Sequence, residues 1–389
     1  MVPQHLRPEF KLKTCLYYSN WSIYSKKFTP DKLPFHLITN LFYSFMDIDP
    51  HTGAVILSDK WADIEVPFNN GQATYKGCLQ YLHHFKSKYR HLKLSMSIGG
   101  WSFRDNFKNG ISTDEKINNF ANTAIKFLTE YGFDGIDLDF EYPENEHDAT
   151  QYVKLAQRLR SMLKQIENEK HLSPGSLLLT LAIPAMPESL RFFKLHHLDQ
   201  YVSFYNVMTY DFAGSWSNKV QLPANTTRYS GGEWSVNDTV SYLLENNPSI
   251  SPKKYILGVP AYGKVFRNAK GLQSSFSNVE DMDFKTILNT YLQDPQACQN
   301  KMQQDSIVLV TNSGKDVVCF DTLQSVRNKA RIVVDNRLGG MMWWEACGDG
   351  IGEHSLVKAF VFSLANGPAD LDGSINNVDY RDSKYLSFK

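Results

Sequence analysis

In the stretch FDGIDLDFEYP, residues 133–143, Asp137, Asp139 and Glu141 are separated only by Leu138 and Phe140. In an extended chain the side chains at i, i+2 and i+4 point to one side, so the three carboxyl groups form a row. Like charges at this spacing oppose one another's ionisation, and burial opposes charge altogether, so the row must hold at least one proton. A carboxyl group kept protonated near neutrality is a general acid. Two other readings use the same residues. The acids could be the wet face of a half-buried strand, or they could hold a hard cation such as magnesium or calcium. No histidine or further acid follows at ligand spacing, so neither a metal nor a cofactor is expected. Asp134 is out of phase with the row and is expected to be structural.

The elements that must position this row are legible as eight apolar runs, at 14–20, 37–47, 92–100, 133–141, 177–185, 202–211, 254–263 and 338–346. Most are followed by a helical pattern, which predicts an α/β protein with a parallel sheet. No break in composition divides the runs into halves, so a closed (β/α)8 TIM barrel fits better than a doubly wound sheet. Barrel strands are covered on both faces, which removes the wet-face reading. Glu141 then lies nearest the C-terminal end of the fourth strand, where barrels of this kind build their sites. Ser112 and Glu115 read as a capping box before an apolar stripe of Ile117, Phe120, Ala121, Ala124, Phe127, Leu128 and Tyr131. A second stripe runs from Tyr152 to Ile166, and both are read as packing against the strands.

The spacing changes between strands 7 and 8. From about 264 to 336 the chain holds a β-like run, SIVLVTNS at 306–313, and helical patterns near 283–293 and 322–334. A small α+β insertion accounts for them. The expected organisation is a single catalytic domain over 1–389, with barrel segments at about 14–263 and 337–366, the insertion at about 264–336, and a C-terminal tail at 367–389.

Composition narrows the partners. Lys+Arg and Asp+Glu both number 41, which leaves no basic surplus for nucleic acid or an anionic membrane. No uninterrupted apolar stretch reaches the length of a membrane span. Cys15, Cys78, Cys298, Cys319 and Cys347 are scattered without C-x-x-C spacing, so neither a disulfide framework nor a zinc site is indicated. A monomer is expected. The opening stretch MVPQHLRPEFKLKTC has no apolar leader core, so the sequence as given reads as intracellular and cytoplasmic unless a leader was removed or release is non-classical. The 24 Phe, 20 Tyr and 7 Trp serve either a large core or stacking on the flat faces of a ligand.

DGIDLDFE resembles the D-G-x-D-x-D-x-E signature of the family 18 glycoside hydrolases, the chitinases and their relatives. Other strand ends agree. SIGGW at 97–101 is similar to the family's S-x-G-G, MTYD at 208–211 to M-x-Y-D, and GGMMWW at 339–344 to G-G-x-M-x-W. YYSNWSIY at 17–24 and GVPAYGK at 258–264 look like the first and seventh strands, and the correspondence runs in order from about 14 to 366. The insertion resembles that of the bacterial-type subgroup, which includes intracellular fungal and yeast chitinases.

This resemblance implies retaining, substrate-assisted hydrolysis of β-1,4-N-acetylglucosamine linkages, with chitin or chitooligosaccharides as the binding partner. Glu141 would protonate the leaving oxygen, and the sugar's own acetamido oxygen would act as nucleophile. Asp139 would orient the acetamido N–H, with Asp137 behind it sharing a proton. Tyr210 would bind the acetamido carbonyl, Asp211 would lie close to the same sugar, and Met208 and Trp344 would line the site, Trp344 as its floor. Tyr17, Phe45, Trp101, Trp216 and Tyr262 are further candidates for sugar contact, each with packed core aromatic as the alternative. Three positions depart from the family pattern. Phe140 replaces a usual Trp, Lys264 stands where many relatives have Arg, and CFDTLQS at 319–325 is a degenerate form of a Tyr-Asp-Asp-x-x-Ser stretch. A chitooligosaccharide-binding lectin and an endo-β-N-acetylglucosaminidase acting on N-glycans remain as alternatives. The intact Glu141 weighs against the lectin.

Overall fold

The computed structural model of the chain describes residues 5–291, 298–303, 306–311, 316–379 and 383. Its main sheet contains eight parallel strands: β1 (Lys13–Ser19), β2 (Asn40–Ile48), β3 (Lys93–Gly99), β4 (Gly135–Asp139), β5 (Leu178–Pro184), β6 (Phe204–Met208), β7 (Tyr255–Pro260) and β8 (Gly340–Trp344). Each is bonded to the next in the chain, and β1 is bonded to both β2 and β8, so the sheet closes as a (β/α)8 barrel. Every predicted run falls on one of these strands, β1 beginning one residue before its run and β2 ending one residue after its own. β3, β4 and β5 are buried along their whole length, so the polar residues that alternate with apolar ones in β3 and β4, Ser95, Ser97, Asp137 and Asp139, are buried as well.

The chain forms two compact units. The first comprises Cys15–Pro184, Glu188–Asn206 and Asp372–Lys389. Here β2, β3, β4 and β5 run in parallel register, with Ser97 beside Asp137 and Gly99 beside Asp139. Helix α1 (Gly77–Lys88) precedes β3, and α2 (Asp114–Tyr131) precedes β4. The cap of α2 corrects the expected box by one residue. Thr113 Oγ1, not Ser112, accepts from the Lys116 amide at 3.3 Å, while the Ser112 hydroxyl donates to the Asn109 carbonyl at the end of the preceding helix. Gly132, at φ +72°, ends α2 in the left-handed conformation that glycine adopts freely.

At the foot of β4, Asp134 is structural. Its carboxylate pairs with the fully buried Lys86 ammonium at 2.8 Å and accepts the amides of Leu94 and Asn377, both at 2.8 Å. A buried charge is tolerated only with such a set of partners.

The second unit comprises Met1–Thr14, Ala185–Pro187 and Val207–Leu371. It pairs β7 with β8 from Ile256↔Gly340 to Pro260↔Trp344. A five-stranded antiparallel sheet follows β7, in the order Asn278–Asp283, Tyr262–Arg267, Asp316–Phe320, Ser306–Thr311, Cys298–Gln303. Phe266, Val308, Val317 and Cys319 pack one of its faces with Val220, Leu222 and Tyr229. Cys15, Cys78, Cys319 and Cys347 are buried and form no disulfide among the described residues. Among the described residues no helix is long and apolar enough to cross a membrane.

Candidate active site

The acid row belongs to the first unit. Asp137 and Asp139 lie in β4, while Glu141 follows two residues beyond its end, partly exposed and joined to Tyr142 by a cis peptide bond. The glycines of SIGGW let the neighbouring backbone close on this strand. A Cβ on Gly99 (φ +110°) would stand 2.2 Å from the Asp139 carbonyl, and one on Gly100 (φ +82°) 2.5 Å from the Phe45 ring. Phe140 points away from the row and stacks on Phe107 at 4.8 Å, so its replacement of tryptophan alters packing outside the carboxyl groups.

Asp137 is wholly buried and its carboxylate is well supplied with donors. Oδ2 accepts from Tyr17 Oη at 2.9 Å and Ser97 Oγ at 2.7 Å, and Oδ1 from Thr180 Oγ1 at 2.6 Å. Asn206 Nδ2 in turn donates to Tyr17 Oη at 3.0 Å. Burial raises the Asp137 pKa, and these hydroxyl donors oppose the rise. Asp139 has no such support: burial pushes it well above the usual carboxylate range, and the charges of Glu141 and Asp137 push it further. Its Oδ1 is buried and has no hydrogen-bond partner among the described residues. The row therefore splits by environment: hydroxyl donors oppose the rise at Asp137, and Asp139, without them, favours its proton more strongly.

Around this row, Tyr17 is buried and stacked on Phe42 at 4.8 Å. Phe45 follows a cis peptide bond and lies 6.1 Å from Trp21. Trp101 is 59% exposed, with the Arg104 guanidinium 4.3 Å from its ring centroid.

In the second unit, Met208 closes β6 and Tyr210 and Asp211 follow it. Gly258 on β7 makes room for the Tyr210 ring, since a Cβ there would stand 2.8 Å from it. The Tyr210 hydroxyl reaches Met342 Sδ at 3.9 Å, and its ring meets Tyr262 edge-on at 6.4 Å. Asp211, at φ +55°, accepts from Tyr262 Oη at 2.8 Å. Lys264 is 5% exposed and joins Asp211 and Asp281 at 2.8 and 2.7 Å. Burial works against its charge, but the two carboxylates outweigh it and raise its pKa. The same ammonium lies 5.9 Å from the ring of Trp216, which is 65% exposed. Trp344 ends β8 and is partly exposed, while its neighbour Trp343 is fully buried. The degenerate CFDTLQS stretch forms a buried cap, where Asp321 pairs with Lys329 at 2.5 Å and takes the Ser325 hydroxyl at 2.6 Å.

Sequence reasoning missed Ser97, Thr180 and Asn206 as partners of the row, and Asp281 as the second carboxylate on Lys264. The first three carried a usable signal, as polar residues inside otherwise apolar strands. Asp281 carried none. Among the described residues no three His, Cys, Asp or Glu side chains are grouped to hold a metal ion.

Residues 13–349 match the family model described as glycosyl hydrolases family 18. Endochitinase 1 of Metarhizium robertsii is 32% identical, over 95% of this chain and 88% of its own. Sporulation-specific chitinase 2 of Saccharomyces cerevisiae is 29% identical, over 92% of this chain and 78% of its own. Among solved structures, chitinase ChiA74 from Bacillus thuringiensis superposes with a TM-score of 0.82 at 22% identity, over 95% of this chain and 71% of that one. The Ostrinia furnacalis Group IV chitinase in complex with allosamidin gives 0.80 at 25% identity, over 92% and 99%.

Proposed function

Because the chain belongs to glycosyl hydrolase family 18, we propose that it is a chitinase, cleaving β-1,4 linkages between N-acetylglucosamine units with retention at the anomeric carbon and no enzyme nucleophile. One observation carries the mechanism. Asp139 is buried, favours its proton and keeps one oxygen without a hydrogen-bond partner among the described residues, whereas Asp137 behind it is supplied with three hydroxyl donors. That oxygen suits the N–H of a substrate acetamido group.

In the first step Glu141 gives its proton to the glycosidic oxygen as the C1–O bond breaks. The acetamido carbonyl oxygen closes on C1, forming an oxazolinium ion whose positive charge sits beside Asp139. Nucleophile and electrophile share one sugar ring, so the attack needs no loss of translational freedom. In the second step water attacks C1, the C1–O bond to the acetamido group opens, and the water proton passes to the Glu141 carboxylate. Two inversions at C1 leave the anomer retained. Tyr210 serves as donor to the acetamido carbonyl, and Trp344 and Trp216 offer ring faces to the sugars.

The test is product analysis. Wild-type protein incubated with chitohexaose and with an N-glycopeptide is expected to cleave the former. Cleavage of the glycopeptide alone would replace the reading with an endo-β-N-acetylglucosaminidase, and binding without cleavage would replace it with a lectin.

A further inference from the structure

Glu141 stands outside β4, on the loop 140–145 that leads into helix α3 (Glu146–Glu169). A general acid has to meet the leaving oxygen closely, and a misplacement of about 1 Å costs about 10²-fold in rate. The strand holds this loop at one end, at Asp139. Side chains hold the other end.

Asn145 is the N-cap of α3, and its Oδ1 accepts the Asp148 amide at 2.9 Å. In a capping box the third helical residue would reciprocate by accepting the cap's own amide. Asp148 reaches one residue further back instead. Its Oδ2 accepts the Glu144 amide at 3.1 Å and the Asn145 side-chain amide at 3.0 Å. The Lys108 ammonium lies 3.6 Å from the same oxygen and pairs with the Glu144 carboxylate at 2.5 Å. Lys108 belongs to the short helix Arg104–Gly110, which follows SIGGW. Asp148 is 6% exposed, so two amides and an ammonium, rather than water, serve its carboxylate. Between Glu141 and Glu144, Pro143 is buried and its φ is preset, and the Tyr142 ring lies 6.3 Å from that of the buried Phe193.

A helix cap needs only the bond between Asn145 and Asp148. The bond to Glu144 and the tie to Lys108 act on the loop, and they clamp it to the segment after β3 only three residues from the acid. We infer that Asp148 is a positioning residue for the general acid. Through the Glu144 amide and Lys108 it fixes the loop 140–145, and with it the place of the Glu141 carboxyl group relative to Asp139. The inference deepens the function proposed above and rests on it, since it takes Glu141 as the proton donor.

Positioning and mere support of the fold separate by leaving group. A sugar hydroxyl leaves only with a proton from the acid, whereas a dinitrophenolate leaves without one. Asp148→Ala is therefore expected to lower kcat/KM by about 30-fold on chitohexaose and by less than about threefold on a dinitrophenyl chitobioside. Asp148→Asn keeps an oxygen for the Glu144 amide and should restore most of that loss. Equal losses on the two substrates, no loss on either, or an Asn variant as impaired as Ala would each overturn the assignment. Where Asp148→Ala does not fold, Lys108→Met releases the same clamp from its other side and is read by the same contrast. Glu141→Gln, run alongside, should show the contrast more strongly. If it does not, the proton donor has been misassigned and the proposed function fails. Amide hydrogen exchange across residues 140–145 then decides the positioning by itself. Faster exchange at Glu144 in Asp148→Ala supports it, and unchanged exchange overturns it.

Discussion

Two carboxyl groups two residues apart in β4 differ because their partners differ. Thr180 is the donor that reaches Asp137 from β5, at 2.6 Å, and Thr180→Val removes it while keeping the shape. Burial already raises the Asp137 pKa and the hydroxyl opposes it, so losing the hydroxyl raises the pKa further. The row then keeps an additional proton to higher pH, and the acidic limb of the kcat/KM profile is expected to move up by roughly one unit. A limb that stays in place would remove Thr180 from the charge balance. Lys264 makes the complementary case. Its partners Asp211 and Asp281 have side chains 41% and 59% exposed, so water can take over when the ammonium goes. Lys264→Met is therefore expected to cost little stability. It should instead free Asp211 and the Trp216 ring, lowering kcat/KM on chitohexaose by about tenfold. A large loss of thermal stability with normal kcat/KM would reverse that assignment. Glu141→Gln is expected to lower kcat by at least about 10²-fold while oligosaccharide binding persists, as measured by calorimetry.

At the scale of elements, much was legible because strand and helix periods repeat locally. The eight runs and the stripe of α2 were readable in this way, and the alternation of Asp137, Asp139 and Glu141 marked the site. What escaped depended on residues distant in sequence. Asn20 and Tyr43 both donate to Asp63 and form one hub with it, yet each read alone is an ordinary polar residue. The cap of α2 escaped for a different reason, since Ser112 and Thr113 both suit the position and only the backbone chooses. The hub makes a prediction of its own. Burial raises the Asp63 pKa to about 6 from 3.8, against the opposing hydrogen bonds of Tyr43, Asn20 and the Asp59 amide. Of the groups that feel its charge, Tyr43 is pushed well above its usual range, Tyr24 and Cys78 to about 12 and Tyr131 upward, chiefly by burial, and the Asp59 charge adds to the rise at Asp63. A raised carboxyl pKa means that the folded state holds the proton more tightly than the unfolded one. Stability from this group is thus greatest below about 4 and falls by about 3 kcal/mol as pH rises through 6. Denaturant titrations of wild type and Asp63→Asn at pH 4.5 and 7.5 should show the wild type losing ground to the variant at the higher pH. A difference that does not vary with pH would contradict the assignment.

At the scale of the whole molecule, both ends of the described chain are sewn into the units they belong to. Near the N-terminus, the Leu6 and Leu12 amides donate to the Ser363 and Asp370 carbonyls, both at 2.9 Å. At the other end, residues 372–379 form a strap fastened in the first unit at the feet of β3 and β4. Asn376 is its pin, 5% exposed. Its side-chain amide donates to the carbonyls of Lys86 and Leu92 at 2.8 and 2.7 Å, and its Oδ1 accepts from Arg90 Nε at 2.8 Å. The next residue gives its amide to Asp134, so the strap also completes the shell of the buried Lys86–Asp134 pair. Asn376→Ala deletes these bonds and leaves two carbonyls short of a donor, at a cost of about 2 kcal/mol. Asn376→Asp keeps the size but turns a carboxylate oxygen towards those carbonyls, and a buried repulsion of that kind costs more than a cavity. The order expected in urea denaturation is therefore wild type, then Ala, then Asp. Asn376 is anchored where β3 and β4 begin and the acid row lies where β4 ends, so kcat of the folded variants should stay near the wild-type value. If Asp proves as stable as wild type, the strap is not what holds the feet of these strands together.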